Sequence, residues 1–269
     1  MFVDCHAHIL PGVDDGARTM EDALVMARMA VAAGTTRIFA TPHGYTSTYH
    51  VDPAVVREST RALQARLAVE HIDLTVLPAM EVHHGAVATS RHTAATGAKA
   101  SVASIDLERL RAGAALGFGA YARPDYVLLE FPFATWPEDA RGAIAALHEA
   151  GTQVVLAHPE RYDALQENPA LVDEVLREGA WLQLTTGSIL GRFGSAAERL
   201  SRDWLTAGCI HIIASDAHNA VSRPPGIRAA YERVCDDWGL VAAAQQCVAN
   251  ADAIWSTALA KASHVDEQR

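Results

Sequence analysis

The sequence is poor in cysteine, and its few cysteines lie far apart. There are four among 269 residues, and no two of them form a CxxC pair. This spacing gives no sign of a disulfide framework or of a thiolate zinc site, and it fits a reducing cytoplasm. Phosphatases that use a cysteine thiolate carry a CxxxxxR loop, and no cysteine here has arginine at the sixth following position. The sequence therefore argues against thiolate catalysis.

The chain also lacks an excess of basic residues and any long apolar run. Its formal net charge of −10 argues against a nucleic-acid partner, because proteins that bind a phosphate backbone usually present a basic face. No uninterrupted apolar run approaches the roughly 18 residues that span a bilayer, and no early basic segment leads into a signal peptide. We expect a cytoplasmic protein without membrane insertion.

What the sequence does contain is a regular alternation of short aliphatic runs with longer helical patterns. This alternation is typical of βα units that build a parallel sheet or barrel, so the fold class is α/β. We predict one domain over residues 1–269, because no linker or repeat divides the chain. The seven runs predicted as strands are residues 2–5, 36–41, 74–80, 126–130, 153–157, 181–184 and 210–214.

Two helix starts and one irregular segment complete this prediction. Thr19 can cap a helix, and Asp52 can cap another with Pro53 at its first position. Residues 85–123 are rich in small residues with weak helical periodicity, so they are predicted to form an elaborated loop.

Side chains able to bind metal lie at or just beyond the ends of six of the seven predicted strands. Barrel enzymes assemble their active sites at this end of the strands. A lone histidine in such a place is more often a loop or core residue, but the repeated pattern favours a metal site. Imidazole and carboxylate ligands without thiolate suit zinc, manganese or iron. The residues are His6, His8, Asp14, Asp15, His43, Glu81, His83, His84, Glu130, His158, Asp216 and His218.

Five motifs in order along nearly the whole chain resemble one known family. They are DCHAHILPGVDDGART at residues 4–19, ATPH ending at His43, LLEFPF around Glu130, AHPERY ending at Tyr162 and ASDAHN ending at Asn219. They resemble the PHP family, and within it the CpsB-type bacterial protein-tyrosine phosphatases of capsule and exopolysaccharide gene clusters. The resemblance implies a distorted seven-stranded (β/α) barrel with a centre of three divalent transition-metal ions, either manganese, iron or zinc.

The resemblance also implies how the residues are used. One ion would be bound by His6, His8, Glu81 and Asp216, a second by Glu81, Glu130 and His158, and the third by Asp15, His43 and His218. Arg161 and Arg223 match the family's phosphate-contacting arginines. Four carboxylates and three divalent ions, roughly −4 and +6, would leave the shell positive, which complements a phosphomonoester dianion.

Other residues near the motifs have more ordinary interpretations. Asp14 is expected to stabilise its own loop through an Asx-type hydrogen bond, and His83 and His84 to be solvated rim residues. Thr185, Thr186 and Ser188 either line the pocket or cap a turn. Without the motif match, Arg161 and Arg223 would be interpreted as members of surface salt bridges.

The function predicted from these features is hydrolysis of phosphotyrosine on a protein, with a cognate bacterial tyrosine kinase that controls polysaccharide export as the partner. The alternative is a small-molecule PHP phosphatase such as histidinol-phosphate phosphatase, which would share the metal site but have a more closed pocket. A metal-binding PHP module without turnover is a third hypothesis. The acidic net charge argues against a PHP nuclease.

Overall fold

The computed structural model describes residues 1–44, 48–49, 51–84, 116–119 and 125–266, and within these it is an α/β protein. Most of the predicted loop at residues 85–123 therefore lies outside the described residues. The strands are β1 (Phe2–Ala7), β2 (Thr35–Ala40), β3 (His43–Gly44), β4 (Thr75–Pro78), β5 (Glu81–His83), β6 (Tyr126–Glu130), β7 (Gln153–Ala157), β8 (Trp181–Thr185) and β9 (Ile212–Ala214).

Helices follow most of the strands. They are α1 (Met20–Ala32), α2 (Pro53–Val69), α3 (Ala140–Glu149), α4 (Asp163–Glu167), α5 (Val172–Arg177), α6 (Thr186–Ile189), α7 (Ser195–Thr206), α8 (Arg228–Glu232) and α9 (Val241–Asp266). Two 3₁₀ turns, Pro159–Arg161 and Pro169–Leu171, and a π-helical turn, Arg233–Asp237, complete the set. Among the described residues, no helix combines the length and apolar character that crossing a membrane requires.

The strands form two parallel sheets. One has the order β1-β2-β4 and the other β3-β5-β6-β7-β8-β9. Beyond the paired strands, the chain after β9 bonds to the end of β1: the His8 amide donates to the Ala217 carbonyl at 2.8 Å, and the Asp216 amide donates to the His6 carbonyl at 2.7 Å. Strand β1 is thus bonded on one side to β2 and on the other to the segment after β9.

Two of the predicted strands are interrupted, so the described residues hold nine strands where seven were predicted. The run predicted at 36–41 forms β2, and the short strand β3 begins just beyond it. The run predicted at 74–80 forms β4, and β5 begins directly after it. Pro42 and Pro78 explain both breaks, because proline has no amide hydrogen to donate to a sheet. Single hydrogen bonds continue the pairing, from the Ala79 amide to the Ala40 carbonyl at 2.8 Å and from the Glu81 amide to the Pro42 carbonyl at 3.1 Å.

Both predicted helix caps are present. The Thr19 hydroxyl accepts from the Asp22 amide at 3.1 Å, and the Asp22 carboxylate accepts from the Thr19 amide at 3.1 Å, which together form a capping box. Asp52 accepts from the Ala54 amide at 2.7 Å at the start of α2. These caps fix where α1 and α2 begin.

Buried apolar side chains form two clusters. In the larger cluster, apolar side chains of helices such as α1, α2 and α3 pack against those of the sheets. The smaller joins β1 and β2 to α9, where the rings of Phe39 and Trp255 lie 4.9 Å apart. Cys5 is fully buried in this second cluster, where it packs among apolar side chains.

Candidate metal centre

All nine predicted metal ligands converge, most of them at or just beyond the carboxyl ends of strands, whereas His43 and Glu81 are the first residues of the short strands β3 and β5. Four groups can be drawn whose ligand atoms lie within 4.8 Å of one another. They are His8 with Asp15, His43 and His218; His6 with His8 and Glu81; His6 with His158 and Asp216; and His43 with Glu81 and Glu130. Seven of the nine residues are buried, whereas His43 is half-buried and Asp15 is exposed, so the group containing both opens toward solvent.

Glu81 and Asp216 lie at the middle of this arrangement. Glu81 Oε1 is 2.8 Å from His158 Nε2 and 3.3 Å from His6 Nε2. Asp216 Oδ1 is 3.3 Å from His6 Nε2 and 3.4 Å from His8 Nε2. Glu81 belongs to two of the four groups, and Asp216 lies close to histidines of more than one of them.

Several ligand atoms are buried without a hydrogen-bond partner among the described residues. These atoms are His43 Nδ1, Glu81 Oε2, Asp216 Oδ1 and His218 Nε2. His43 Nδ1 and Glu81 Oε2 lie 2.9 Å apart, but not with hydrogen-bond geometry. Burying polar atoms without partners costs free energy, and cations would satisfy all four. The donor set consequently fits divalent metal ions.

The electrostatics of the centre support the same conclusion. Burial, together with the neighbouring negative charges of Glu81 and Asp216, raises the pKa of the Glu130 carboxyl to about 9. Burial and the nearby Arg161 lower the pKa of His158 to about 4. Crowded carboxylates resist ionisation unless a cation is close. Divalent ions would remove that penalty and hold Glu130 ionised.

Two of the predicted ligands have an unusual backbone conformation. His158 has a φ of 32° and Asp216 a φ of 50°, so both lie in the left-handed region, which residues other than glycine adopt infrequently. Such conformations cluster at functional sites, where surrounding contacts hold them in place. At Asp216 these contacts include the hydrogen bond from its amide to the His6 carbonyl and the hydrogen bonds from two arginine side chains.

His6, in β1, and His8, directly after β1, are oriented by side chains outside the predicted ligand set. His8 Nδ1 lies 2.7 Å from Asp14 Oδ2, and His6 Nδ1 lies 2.9 Å from Gln183 Oε1. Both partners accept hydrogen bonds, so each ring carries its hydrogen on Nδ1 and directs Nε2 toward the centre. Sequence reasoning missed Gln183, although a polar residue within the apolar run of β8 was a usable signal.

Asp14 has a wider role than the loop hydrogen bond predicted for it. That bond is present, because Oδ1 accepts from the Gly16 amide at 3.0 Å. Oδ2 additionally accepts from the His43 amide at 2.9 Å while contacting His8. Asp14 therefore ties the loop after β1 to two of the predicted ligands.

Both predicted phosphate-contacting arginines lie in the centre. Arg161, on the 3₁₀ turn after β7, donates from Nη1 to Asp216 Oδ2 at 2.5 Å, and Arg223 donates to the same oxygen. Their side chains are 15% and 24% exposed, which rules out an ordinary surface salt bridge and leaves both within reach of a ligand. Arg223 Nε is buried and has no hydrogen-bond partner among the described residues.

Three hydroxyl residues lie at the end of β8 and in α6, where no side-chain hydrogen bond caps the start of the helix. Thr185, Thr186 and Ser188 are all buried. The Thr185 amide and the Ser188 hydroxyl donate to Glu160 Oε1 at 2.9 and 2.7 Å. Burial raises the pKa of the Glu160 carboxyl to about 7, although these two donors favour its ionised form. Glu160 was missed in the sequence, and it joins β8 to the turn that carries Arg161.

The prediction for His84 is wrong. This side chain is 7% exposed and is not a solvated rim residue. Its Nε2 lies 3.1 Å from Asp139 Oδ1, and its ring meets Phe131 edge-on at 5.2 Å. The neighbouring His83, the last residue of β5, is half-buried. Within the described part of the chain, neither histidine joins a metal-binding group.

Comparison with known proteins relates this site to one family. Residues 2–98 and 95–256 match the family model for capsular polysaccharide synthesis, CpsB/CapC. The chain is 37% identical over 223 residues to the tyrosine-protein phosphatase YwqE of Bacillus subtilis, covering 82% of this chain and 79% of that protein. It is 26% identical over 258 residues to the tyrosine-protein phosphatase CpsB of Streptococcus agalactiae, covering 94% and 98%.

A solved structure extends the likeness to three dimensions. It comes from work on YwqE from Bacillus subtilis and CpsB from Streptococcus pneumoniae, described as unique metal-dependent tyrosine phosphatases. It aligns with a TM-score of 0.76 at 33% identity, covering 92% of this chain and 94% of that chain. With the family model matching most of its length, this chain belongs to the CpsB/CapC family of capsular polysaccharide synthesis proteins.

Proposed function

We propose that this chain is a metal-dependent phosphomonoester hydrolase that removes phosphate from phosphotyrosine on proteins. One observation carries the proposal: nine side chains able to bind metal lie together, and two arginines both donate to one of them, the buried carboxylate of Asp216. The tyrosine phosphatase names of the relatives support phosphotyrosine over a small metabolite as the substrate.

The metal centre in this proposal contains three divalent transition-metal ions, either manganese, iron or zinc. The ligands are His6, His8, Asp15, His43, Glu81, Glu130, His158, Asp216 and His218. His8 is near enough to Asp15, His43 and His218 to join the third ion as well as the first. Such ions supply Lewis-acid stabilisation of developing charge and activation of water.

The protein groups do the remaining work. Arg161 and Arg223 bind the non-bridging oxygens of the phosphate through forked hydrogen bonds, exchanging their contacts with Asp216 for contacts with substrate. Asp14 and Gln183 keep His8 and His6 in the tautomer that faces the centre. This division separates residues that bind phosphate from those that hold metal.

The fold that carries this centre is proposed to be a distorted seven-stranded (β/α) barrel in a single domain over residues 1–269. Treating β2 with β3 and β4 with β5 as two interrupted strands leaves seven strands. The bonds between β1 and the chain after β9 support closure of the ring.

The substrate protein is proposed to be a cognate bacterial tyrosine kinase that controls polysaccharide export, in keeping with the capsule synthesis role of the family. A cytoplasmic location is part of this proposal. The four cysteines, none of which is in a disulfide, support a reducing compartment.

A steady-state comparison on metal-loaded protein tests the proposal. We expect a higher kcat/KM for a tyrosine-phosphorylated peptide than for histidinol phosphate, loss of activity with a strong chelator, and recovery with added manganese, zinc or iron. A preference for histidinol phosphate would favour the small-molecule alternative. No turnover of either substrate would favour the non-catalytic module.

Elemental analysis tests the centre itself. Protein purified without chelator should contain about three transition ions per chain, as a multinuclear phosphoryl-transfer site would. Glu130→Gln should lower that number together with activity, because it removes an ionised oxygen. Glu149→Gln, the same change on exposed surface at the end of α3, should alter neither. Full activity with one ion or fewer per chain would contradict the proposal.

A further inference from the structure

One phenyl ring lies beside both arginines of the site. The Arg161 guanidinium carbon is 4.3 Å from the ring centroid of Phe193, and the Arg223 guanidinium carbon is 5.9 Å from the same centroid. A second ring, that of Phe133, lies 5.0 Å from the Arg161 guanidinium carbon. Arg161 is consequently in contact with two aromatic rings, and Phe193 is the ring that the two arginines share.

The position of Phe193 is set by a close contact with α6. A Cβ atom added at Gly187 would lie 2.5 Å from Phe193 Cε2, so only glycine lets the ring pack there. The Arg192 amide donates to the Gly187 carbonyl at 2.8 Å and anchors the loop immediately before the phenyl group. Two glycines with positive φ, Gly191 at 74° and Gly194 at 91°, let this loop turn on either side of the ring.

The Phe193 ring lies where two positively charged side chains come close together. Two guanidinium groups converge on one carboxylate oxygen, Asp216 Oδ2, so two positive charges are held together by one negative charge. An aromatic face attracts cations through its quadrupole, and guanidinium groups stack on such faces. A phenyl ring also has no hydrogen-bonding group that would compete with phosphate for the arginine N–H groups.

We propose that Phe193 is a positioning residue that holds the guanidinium groups of Arg161 and Arg223 together in the orientation that receives the phosphate. This inference rests on the proposed function, because it assigns the two arginines to phosphate. Phe193 lies against the arginines and is not one of the predicted metal ligands, so it acts through the arginines. Its contribution should therefore appear in phosphate binding and turnover, and not in metal content.

Phe193→Leu tests this role, because leucine keeps much of the apolar volume and removes the aromatic face. We expect kcat/KM for a tyrosine-phosphorylated peptide to fall, and the inhibition constant of inorganic phosphate to rise in parallel, by about 3- to 30-fold, the range of a cation–π contact. Phe193→Tyr, which keeps the ring, should restore both values to within about twofold of wild type. Metal content should be the same in all three proteins.

A matched control is available at the start of β1. Phe2 has an equivalent contact with Arg228, whose guanidinium carbon lies 5.8 Å from the ring centroid. Phe2→Leu removes a ring of the same kind from a cation without touching the site, so it should leave kcat/KM and phosphate inhibition unchanged. If Phe193→Leu does not fold, Phe193→Met takes its place, since methionine fills irregular space without an aromatic face.

A double-mutant comparison separates positioning from general packing. In an Arg161→Ala, Arg223→Ala background, Phe193→Leu should have little further effect on phosphate inhibition, because the groups it positions are gone. An equal loss in that background, or a Phe193→Leu protein with wild-type phosphate inhibition, would overturn the role of Phe193. A metal-loaded wild type that hydrolyses no phosphomonoester would instead refute the proposed function.

Discussion

Replacing Asp14 by asparagine removes a negative charge next to the metal centre while keeping the shape of the side chain. Asp14 accepts three hydrogen bonds, from His8 Nδ1 at 2.7 Å, the His43 amide at 2.9 Å and the Gly16 amide at 3.0 Å. Asparagine has one acceptor oxygen. If that oxygen serves His8 and His43, its NH₂ group faces the N–H of Gly16, and one hydrogen bond is replaced by a clash of two donors.

The size of the effect follows from these contacts. Losing a hydrogen bond to a buried charged acceptor and leaving an N–H unsatisfied costs about 1–3 kcal/mol of stability. Removing the carboxylate also makes His8 a weaker ligand, and changes to such supporting groups typically cost about 10- to 100-fold in metal affinity or activity. We expect Asp14→Asn to show both losses.

Two measurements check this prediction. Competition with a chromophoric chelator gives the metal affinity, and thermal unfolding of the metal-free protein gives the stability. Asp52→Asn is the control, because Asp52 also accepts a backbone N–H, from Ala54 at 2.7 Å, and asparagine caps a helix about as well. A folded Asp14→Asn protein with wild-type metal affinity would refute the reasoning.

Three further predictions concern the arginines, the cysteines and one glycine. Arg161→Ala and Arg223→Ala should each lower kcat by about 10²–10³-fold with metal content intact, because they remove transition-state charge stabilisation. Wild-type kinetics in both variants would mean that these arginines only form ion pairs with Asp216. Burial raises the pKa of the Cys247 thiol to about 12 and that of Cys5 well above its usual range, so both stay protonated at neutral pH. Iodoacetamide should therefore leave the metal-loaded enzyme active, and so should replacement of all four cysteines; inactivation by alkylation would contradict metal catalysis. Gly16→Ala should cost about 1–3 kcal/mol of stability and weaken metal binding, because its Cβ would lie 2.0 Å from the carbonyl oxygen of His8; thermal unfolding and chelator competition measure the two effects.

The strand positions show how much of the fold can be predicted from local sequence patterns. The runs at 126–130 and 153–157 were predicted with the bounds of β6 and β7, because each is a continuous apolar run between polar turn residues. The interruptions at Pro42 and Pro78 were not predicted, although both prolines were visible. An apolar run indicates burial, but whether a proline in it breaks the pairing depends on the strand beside it.

The supporting residues of the metal centre show where local pattern stops. Asp14 and Gln183 are 169 positions apart in the sequence, yet they orient two histidines that are separated by one residue. Nothing within a short window relates a glutamine on β8 to a histidine on β1. In the same way, His84 was wrongly predicted to face solvent. Its contact with Asp139 joins the residue after β5 to the start of α3, and no local sequence pattern relates the two.

By itself, the sequence determined the α/β class and the residue types that gather at the strand ends, because apolar periodicity and ligand chemistry are local properties of the chain. The tertiary structure decided which predicted ligands lie within one group, that Asp14 and Gln183 orient His8 and His6, and that Phe193 lies against both arginines. These are contacts between distant segments, and parallel strands with helical crossovers are what bring those segments together.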